Sequence, residues 1–503
     1  MNPSFIKHLL IIGIVLVMAV VFGFLLATGD FTMLFLLAYA AIFLYVLVFP
    51  GYIPLIALGL LSPFVLPIPY ISNFPFLLMI LGICCVKFFF EHALSEKQRA
   101  VKHCLTIGIV LFFGWVFLRY CMNPVMPNVQ GFGANVTGFR SYLNYAMCLI
   151  LIVLLPYFVT DRNDVKQLLN WMAKVSVFFI LLMTPFVFSK SPTAAYWISL
   201  FGVNVSFYDN GWLRFVALPS FGVILISLVL VPRVVDWSIE KRLVMLGLGT
   251  IAILLGGNRA SFAQILAIIL AIELFKRRFM RLAIISVAVA MLLLSFYYIG
   301  ETMDLSRGVG FLRILSIVSP RVAAASGAVD TSDWRMQRWR RATSEIIANP
   351  LFGKGYGGVE NAWVFADVSQ FEDARLEVDL ATGGIHNGYL SCAYSLGLPA
   401  LILFLFVFLR RIWESFELSE KLKDTDPELS DLHIWAGANL IGLALAIYVG
   451  ADLNAAIIWL YIALVIYFKR MAQTETGLEQ SLLETTPATE EQPPQATAQN
   501  PAI

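Results

Sequence analysis

Apolar runs alternate with short polar connections along most of the chain. Several runs approach roughly 20 residues, the length with which a helix crosses a bilayer. A backbone in lipid must satisfy its hydrogen bonds within each segment, so the pattern predicts an all-α, polytopic membrane protein with about 12–14 transmembrane helices. The candidate spans are residues 9–26, 31–49, 53–68, 74–90, 104–117, 142–159, 172–188, 215–231, 243–255, 261–275, 282–299, 388–409, 434–449 and 453–468.

Composition supports this class and excludes others. Hydrophobic residues make up 59% of the chain and charged residues only 14%. A net charge of +2 argues against nucleic acid as a partner. The six cysteines lack metal-ligand spacing, and no nucleotide-binding loop is present, so no cofactor or metal is expected. Run 9–26 has no clear cleavage site after it and is interpreted as a retained first helix.

Basic clusters in the short connections predict the orientation. All six clusters, from Lys97 to Arg470, fall on one side of the predicted spans, which the positive-inside rule makes the cytoplasmic side, with both termini cytoplasmic. Four segments follow from this topology. Residues 1–299 form N-terminal transmembrane helices, 300–387 a periplasmic loop domain, 388–470 C-terminal transmembrane helices, and 471–503 a disordered cytoplasmic tail rich in Glu, Gln, Thr, Pro and Ala.

Four ionisable residues stand at the opposite membrane boundary. Arg140, Arg214, Arg259 and His386 come from separate parts of the chain. An arginine at a helix end often only extends its side chain to the lipid headgroups. A functional interpretation needs a substrate with diffuse negative charge, which suits guanidinium forks, and a proton to be removed, which suits histidine. A lipid diphosphate donor with a hydroxyl acceptor meets both requirements, and an anion channel meets them less well.

Three stretches resemble the O-antigen ligase and polysaccharide polymerase family of bacterial inner-membrane proteins. The stretch "DWRMQRWRRATSEIIANPLFGKGYGG" is similar to the family's Arg-x-x-x-Trp helix and its Asn-Pro-Leu-x-Gly-x-Gly turn. His386 and Asn387, followed after nine residues by Gly397, resemble a second signature, and "GNRAS" resembles the arginine turn between adjacent spans. A partial match, "RFVALPSFG", lacks the family's asparagines, which weakens the assignment of Arg214. The residues that carry the motif helix and turn are Arg335, Trp339, Asn349, Pro350, Leu351, Gly353 and Gly355.

The resemblance implies a GT-C-like membrane glycosyltransferase whose donor is a glycan on a polyprenyl (usually undecaprenyl) diphosphate. It implies transfer on the periplasmic face without nucleotide or metal, and membrane lipid around the protein. His386 is the expected catalytic base. The expected diphosphate-binding residues are Arg259, Arg214 and Arg140, and the expected supporting residues are Asn387, Asn258, Arg335 and Trp339.

The sequence is compatible with more than one acceptor. A polymerase, which joins the glycan to another lipid-linked glycan, is favoured slightly, because no additional acceptor module is evident. A ligase acting on the lipid A core and a protein O-oligosaccharyltransferase remain alternatives. A small-anion transporter, for example for bicarbonate, is an alternative of another class. It would favour polar residues within the spans and internal repeats. Few such residues occur, chiefly Glu273, Asn144, Asp452 and Asn454.

Overall fold

A computed structural model describes most of the chain from residue 53 to residue 475. The described residues are 53–61, 65–68, 71–88, 104–125, 139–193, 195, 205–207, 213–302, 314–325, 328–356, 376, 380, 384–450 and 452–475. The predicted spans 9–26 and 31–49 and the tail beyond residue 475 lie outside the described residues, as does part of the predicted loop domain.

Helices dominate the described part of the chain, which also holds two antiparallel hairpins of two short strands each. The elements are α1 (Ile53–Leu61), β1 (Val65–Ile68), β2 (Ile71–Pro75), α2 (Phe76–Phe88), α3 (Ile107–Met122), α4 (Phe139–Phe158), α5 (Arg162–Val187), β3 (Val205–Phe207), β4 (Leu213–Phe215), α6 (Leu218–Leu230), α7 (Ile239–Gly256), α8 (Arg259–Phe275), α9 (Phe279–Thr302), α10 (Pro320–Ala325), α11 (Ala328–Ala348), α12 (Gly388–Leu396), α13 (Leu398–Lys421), α14 (Pro427–Val449) and α15 (Ala456–Glu475).

Five of these helices, α4, α5, α9, α14 and α15, are long and apolar enough to cross a membrane. Shorter apolar helices, including α3 and α6, accompany them. The prediction of an all-α polytopic membrane protein is therefore confirmed. Helix α15 continues to Glu475, beyond the predicted boundary at residue 470.

Two predicted spans differ from the structure. Span 53–68 ends as a helix at Leu61, and Val65–Ile68 pairs instead with Ile71–Pro75 as a hairpin. This run contains Pro63 and Pro67, and proline lacks the N–H that an interior helical position needs. Span 388–409 is not one helix, because Gly397 adopts a φ of +87° and separates α12 from α13.

Glycines set the close packing between helices, as is common in membrane bundles. A β-carbon on Gly256 would overlap the ring of Pro219, so the C-terminal end of α7 lies against the first turn of α6. Gly442 faces Ile268, and Gly437 faces Phe275, so α8 and α14 run antiparallel. The start of α6, the turn between α7 and α8, and the C-terminal end of α14 therefore lie at the same end of the bundle. We call this end the site end.

The other end, called the basic end, gathers the basic connections. Ion pairs join the connections to one another and to the C-terminal halves of α13 and α15. They link Arg162 to Asp426, Lys166 to Asp236 and Glu428, Lys276 to Asp431, Arg277 to Glu420, and Lys469 to Glu414. The basic clusters from residue 162 onward thus lie together on one face, as the charge pattern predicted, although these contacts do not test which face is cytoplasmic.

Candidate functional site

His386 occupies a strained backbone position at the start of α12. Its φ is +53°, in the left-handed region that non-glycine residues rarely adopt, and the residue is exposed. Asn387 follows as the N-cap, and its side-chain oxygen accepts hydrogen bonds from the backbone N–H groups of Tyr389 and Leu390, both at 3.1 Å. The cap satisfies donors that a helix start leaves without partners. Asn387 therefore fixes where the helix begins and where the His386 turn sits.

Helix α11 holds the backbone immediately before His386. Trp339 donates its indole N–H to the Ile385 carbonyl at 2.9 Å. Arg338, which the sequence reasoning did not select, donates from Nη1 to the Gly384 carbonyl at 2.6 Å. Arg335 lies one turn before Trp339 and is half-buried. The motif helix is thus a brace for the His386 turn.

The C-terminal end of α14 contacts the His386 turn on the side opposite α11. A β-carbon at position 450 would lie 3.8 Å from Nδ1 of His386, so Gly450 is an immediate neighbour of the imidazole. The Trp339 ring packs against Tyr448, with centroids 5.5 Å apart. His386 is therefore located at the site end by contacts from both α11 and α14.

The glycine turn after α11 docks into the break between α12 and α13. Leu398 N–H donates to the Pro350 carbonyl at 2.8 Å, and Gly355 N–H donates to the Ser395 carbonyl at 2.9 Å. A β-carbon on Gly397 would overlap the carbonyl oxygen of Leu351. Two separate stretches of the family resemblance therefore meet in one backbone joint, which explains why glycine is required there. The joint has a structural role.

Arg259 begins α8 directly after a sharp turn. Gly257 supplies a left-handed φ of +58°, and the Asn258 side chain accepts from Ala260 N–H at 3.0 Å as the N-cap. Because α8 runs antiparallel to α14 in the register described above, Arg259 lies at the level of the α14 C-terminus, the part of the bundle that contacts His386. The predicted supporting residue Asn258 thus shapes the turn that presents Arg259.

Arg214 and Arg140 also lie toward the site end. Arg214 is the central residue of β4, paired with Ser206, and it precedes the first turn of α6. Arg140 is the second residue of α4. Cys148 of the same helix donates from Sγ to the Asn454 carbonyl at 3.4 Å, and eight residues of helix span about 12 Å. Arg140 thus stands about 12 Å along α4 from the level of the α14–α15 connection.

Asp452, in the connection between α14 and α15, is a site candidate that the sequence did not assign. Neighbouring protein atoms raise the pKa of its carboxyl from 3.8 to about 6 by desolvation, although part of the residue stays accessible to water. In the sequence it appeared only as a polar interruption between two spans. Within the described part of the chain, no three His, Cys, Asp or Glu residues are grouped to hold a metal ion.

An apolar cleft opens between α3 and α4 at the site end. Its volume is about 280 Å³, and nearly all of its lining is aromatic or aliphatic, including Phe113, Phe139 and Ala146. Tyr145 at its inner edge shares a hydrogen bond with the Tyr356 hydroxyl, with the oxygens 3.3 Å apart. Arg140 follows Phe139 directly in the chain. The lining of the cleft is apolar apart from its tyrosine hydroxyls, and Arg140 is not part of it.

The central part of the chain is similar to a known family. Residues 243–405 match the family model described as O-antigen ligase. The match includes Arg259, the α11 brace and His386, and it excludes Arg140 and Arg214. No curated protein sequence matches the chain. The match covers about a third of the chain, and the described apolar helices are those of a multi-pass membrane protein.

Proposed function

From the O-antigen ligase assignment of residues 243–405, we propose that this protein transfers a glycan from polyprenyl diphosphate to a sugar hydroxyl on the periplasmic face. The observation that carries the proposal is the exposed His386, held in a strained turn by α11 and α14. Strained backbone conformations persist where the surrounding structure enforces them, and they concentrate at functional sites.

His386 acts in this proposal as the general base. The acceptor hydroxyl loses its proton to an imidazole nitrogen as its oxygen attacks the anomeric carbon of the donor sugar. The bond between that carbon and the diphosphate oxygen breaks, and the electron pair leaves with the polyprenyl diphosphate. One displacement inverts the anomeric centre, and His386 then releases the proton to water. A positioned base commonly contributes 10²–10⁴-fold to the rate.

The guanidinium groups balance the charge of the leaving group. Arg259, at the level of the α14 end, is the principal candidate for contact with the diphosphate, and Arg214 and Arg140 are the further candidates. Guanidinium groups bind phosphate oxygens in bidentate pairs and stay charged at all physiological pH values. They therefore stabilise negative charge as it develops on the leaving oxygen, which is the role that a metal ion plays in other transferases.

The apolar cleft between α3 and α4 suits the first isoprene units of the donor. Phe139 lines the cleft and Arg140 is the next residue of α4, so the proposal places the diphosphate near the start of this helix. Burial of isoprene units provides a lipid-specific part of the binding energy, since each buried methylene contributes about 0.8 kcal/mol. We assign this cleft to the polyprenyl chain.

Among acceptors, we propose a second lipid-linked glycan, which makes the protein a polymerase. No additional acceptor module is evident in the sequence, and a polymerase needs none, since donor and acceptor are the same kind of molecule. Transfer to the lipid A core or to a protein uses the same donor-handling residues.

Transfer by the purified full-length protein tests the proposal. The protein in lipid nanodiscs receives a defined polyprenyl-diphosphate glycan without nucleotide or added metal, and separate reactions add lipid A core or acceptor peptide. Polymerisation yields a ladder of lengthened lipid-linked glycans with no second acceptor. A product that forms only with lipid A core or only with peptide would replace the polymerase assignment. No transfer with any acceptor would refute the enzymatic proposal.

Variants separate the roles of the residues. His386→Ala should lower kcat by at least about 10²-fold while donor binding is retained. Arg259→Ala should weaken donor binding, and Arg410→Ala at the basic end is its matched control. Ala146→Trp should fill the apolar cleft and raise the donor KM. Ala288→Trp, on the exposed surface of α9, is the corresponding control and should leave KM unchanged. Equal effects of a variant and its control would contradict the assigned role.

A further inference from the structure

The basic end of the bundle contains a second, larger cleft that the proposed transfer reaction does not use. Its volume is about 720 Å³, and it lies between the C-terminal ends of α6, α8 and α13 and the starts of α9 and α14. Asp431 of α14 lines it and lies 19 positions before Gly450, the neighbour of His386. This length of helix corresponds to about 29 Å. The cleft therefore opens at the opposite membrane boundary from the candidate transfer site.

Positive charge predominates in this cleft. Five cationic residues and three carboxylates line it, which gives a net charge of 5 − 3 = +2. Two of the carboxylates are already paired, Asp431 with Lys276 at 3.6 Å and Glu420 with Arg277 at 3.4 Å. The other four lining cations make no ion pair with any carboxylate of the described residues. These four are Arg233, Arg278, Arg281 and Lys423.

Three arginines in one concave surface match the chemistry of a phosphate group, whose oxygens accept bidentate hydrogen bonds from guanidinium forks. A solvated charge cluster needs no cavity, whereas this one lines a cleft. The cleft also has apolar walls, formed by Leu230, Phe275 and Ile434. A ligand that fits both parts carries a phosphate and a hydrocarbon portion.

Helix α9 indicates where the hydrocarbon portion lies. It begins immediately after Arg278, and Phe279 and Met280 at its start are 62% and 77% exposed. None of the membrane-length window of α9 is buried inside the protein. Acyl chains therefore cover this helix in a bilayer, and Arg281 on its first turn stands where lipid headgroups begin. Basic pockets between transmembrane helices are known recognition sites for anionic lipid headgroups.

We propose that the cleft at the basic end binds the phosphate headgroup of an anionic phospholipid, with its acyl chains against α9. The lipid belongs to the leaflet opposite His386. This site is independent of the proposed glycosyl transfer, so either proposal can be correct without the other.

Direct lipid binding to the full-length protein in detergent tests this inference. Native mass spectrometry measures the occupancy of phosphatidylglycerol and phosphatidylcholine, with inorganic phosphate and pyrophosphate as soluble competitors. We expect one saturable phosphatidylglycerol site that phosphatidylcholine does not occupy and that the soluble anions do not displace. Displacement by inorganic phosphate or pyrophosphate at the lipid's own concentration would instead indicate a site for soluble anions and overturn the lipid assignment.

Two changes in opposite directions locate the site. The double variant Arg278→Gln/Arg281→Gln should weaken phosphatidylglycerol binding at least tenfold, since each cation near an anionic lipid contributes about fivefold. Glu273→Gln removes a negative charge from the lining, where the Oε2 atom of Glu273 is buried without a hydrogen-bond partner, and should tighten binding. A variant that merely unfolds the protein cannot produce this gain.

The control for total charge is Arg410→Gln/Lys421→Gln, which changes the same number of cations on α13 outside the cleft lining. It should bind phosphatidylglycerol as the unaltered protein does. An equal loss in both double variants, or no gain from Glu273→Gln, would attribute lipid binding to general surface charge and overturn the proposal.

Discussion

Substitutions of His386 should affect the stability of the protein and its transfer activity in different ways, because the backbone at this residue is strained. At a φ of +53° a non-glycine residue is disfavoured by roughly 1–2 kcal/mol, whereas glycine adopts this conformation freely. Glycine also has more conformational freedom in the unfolded chain, which lowers its advantage in folding free energy by about 0.5–1 kcal/mol. His386→Gly should therefore be more stable than His386→Ala by about 0.5–1 kcal/mol, because alanine keeps the strain. Both variants lack the imidazole, and both should lose transfer.

Thermal unfolding of the unaltered protein, His386→Gly and His386→Ala in the same nanodiscs provides the stability measurement. The glycine variant should unfold at the higher temperature, by a difference on the order of 1 °C for a chain of this size. Glycan transfer is measured on the same samples. If the alanine variant is as stable as the glycine variant, the left-handed turn is not enforced in the protein. If the glycine variant retains transfer, His386 is not the base.

Further changes test the joint, the cleft and the basic end. Gly397→Ala should destabilise the protein by about 3 kcal/mol or more, from a φ of +87° and an overlapping carbonyl; Gly247→Ala, whose added β-carbon meets nothing within 4 Å, is the control in a melting experiment. The pKa of Asp452 is higher in the folded protein, at about 6, than its usual 3.8, so the folded state binds the proton more tightly. Stability should therefore fall as the pH rises from about 4 to about 6. Asp452→Asn should remove this dependence from a plot of melting temperature against pH. Asp426→Ala should destabilise by about 1 kcal/mol more than Arg162→Ala in denaturant titrations, because Asp426 also caps α14.

The helical membrane class of this protein could be predicted from hydropathy, because the requirement for an apolar run acts on each segment separately. The basic clusters could be assigned to one face for the same reason, since each span reverses the side of the next connection. Prediction was wrong where a local feature overrode the apolar pattern. The prolines near residue 65 and the left-handed Gly397 both end a helix inside a run that hydropathy treats as continuous.

Some residues of the candidate site could be recognised from the sequence, and others could not. Arg259 and His386 were recognisable because each stands as a charged or titratable group at the edge of an apolar run, within a motif of fixed spacing. The functions of their neighbours were not recognisable. Arg338 acts on a carbonyl 46 residues away, and the Tyr145–Tyr356 hydrogen bond joins residues 211 apart. No local pattern reports such contacts, because they depend on which helices pack together.

The sequence by itself determined that the chain crosses a membrane, and the motif resemblance pointed to the turns that carry Arg259 and His386. Only the tertiary structure decided that the Asn-Pro-Leu turn fits into the α12–α13 break, that Gly450 lies against the imidazole, and that a cationic cleft forms at the opposite end. The physical reason is that hydropathy and helix capping are properties of neighbouring residues. A cleft or a backbone joint exists only when distant helices pack at one fixed register.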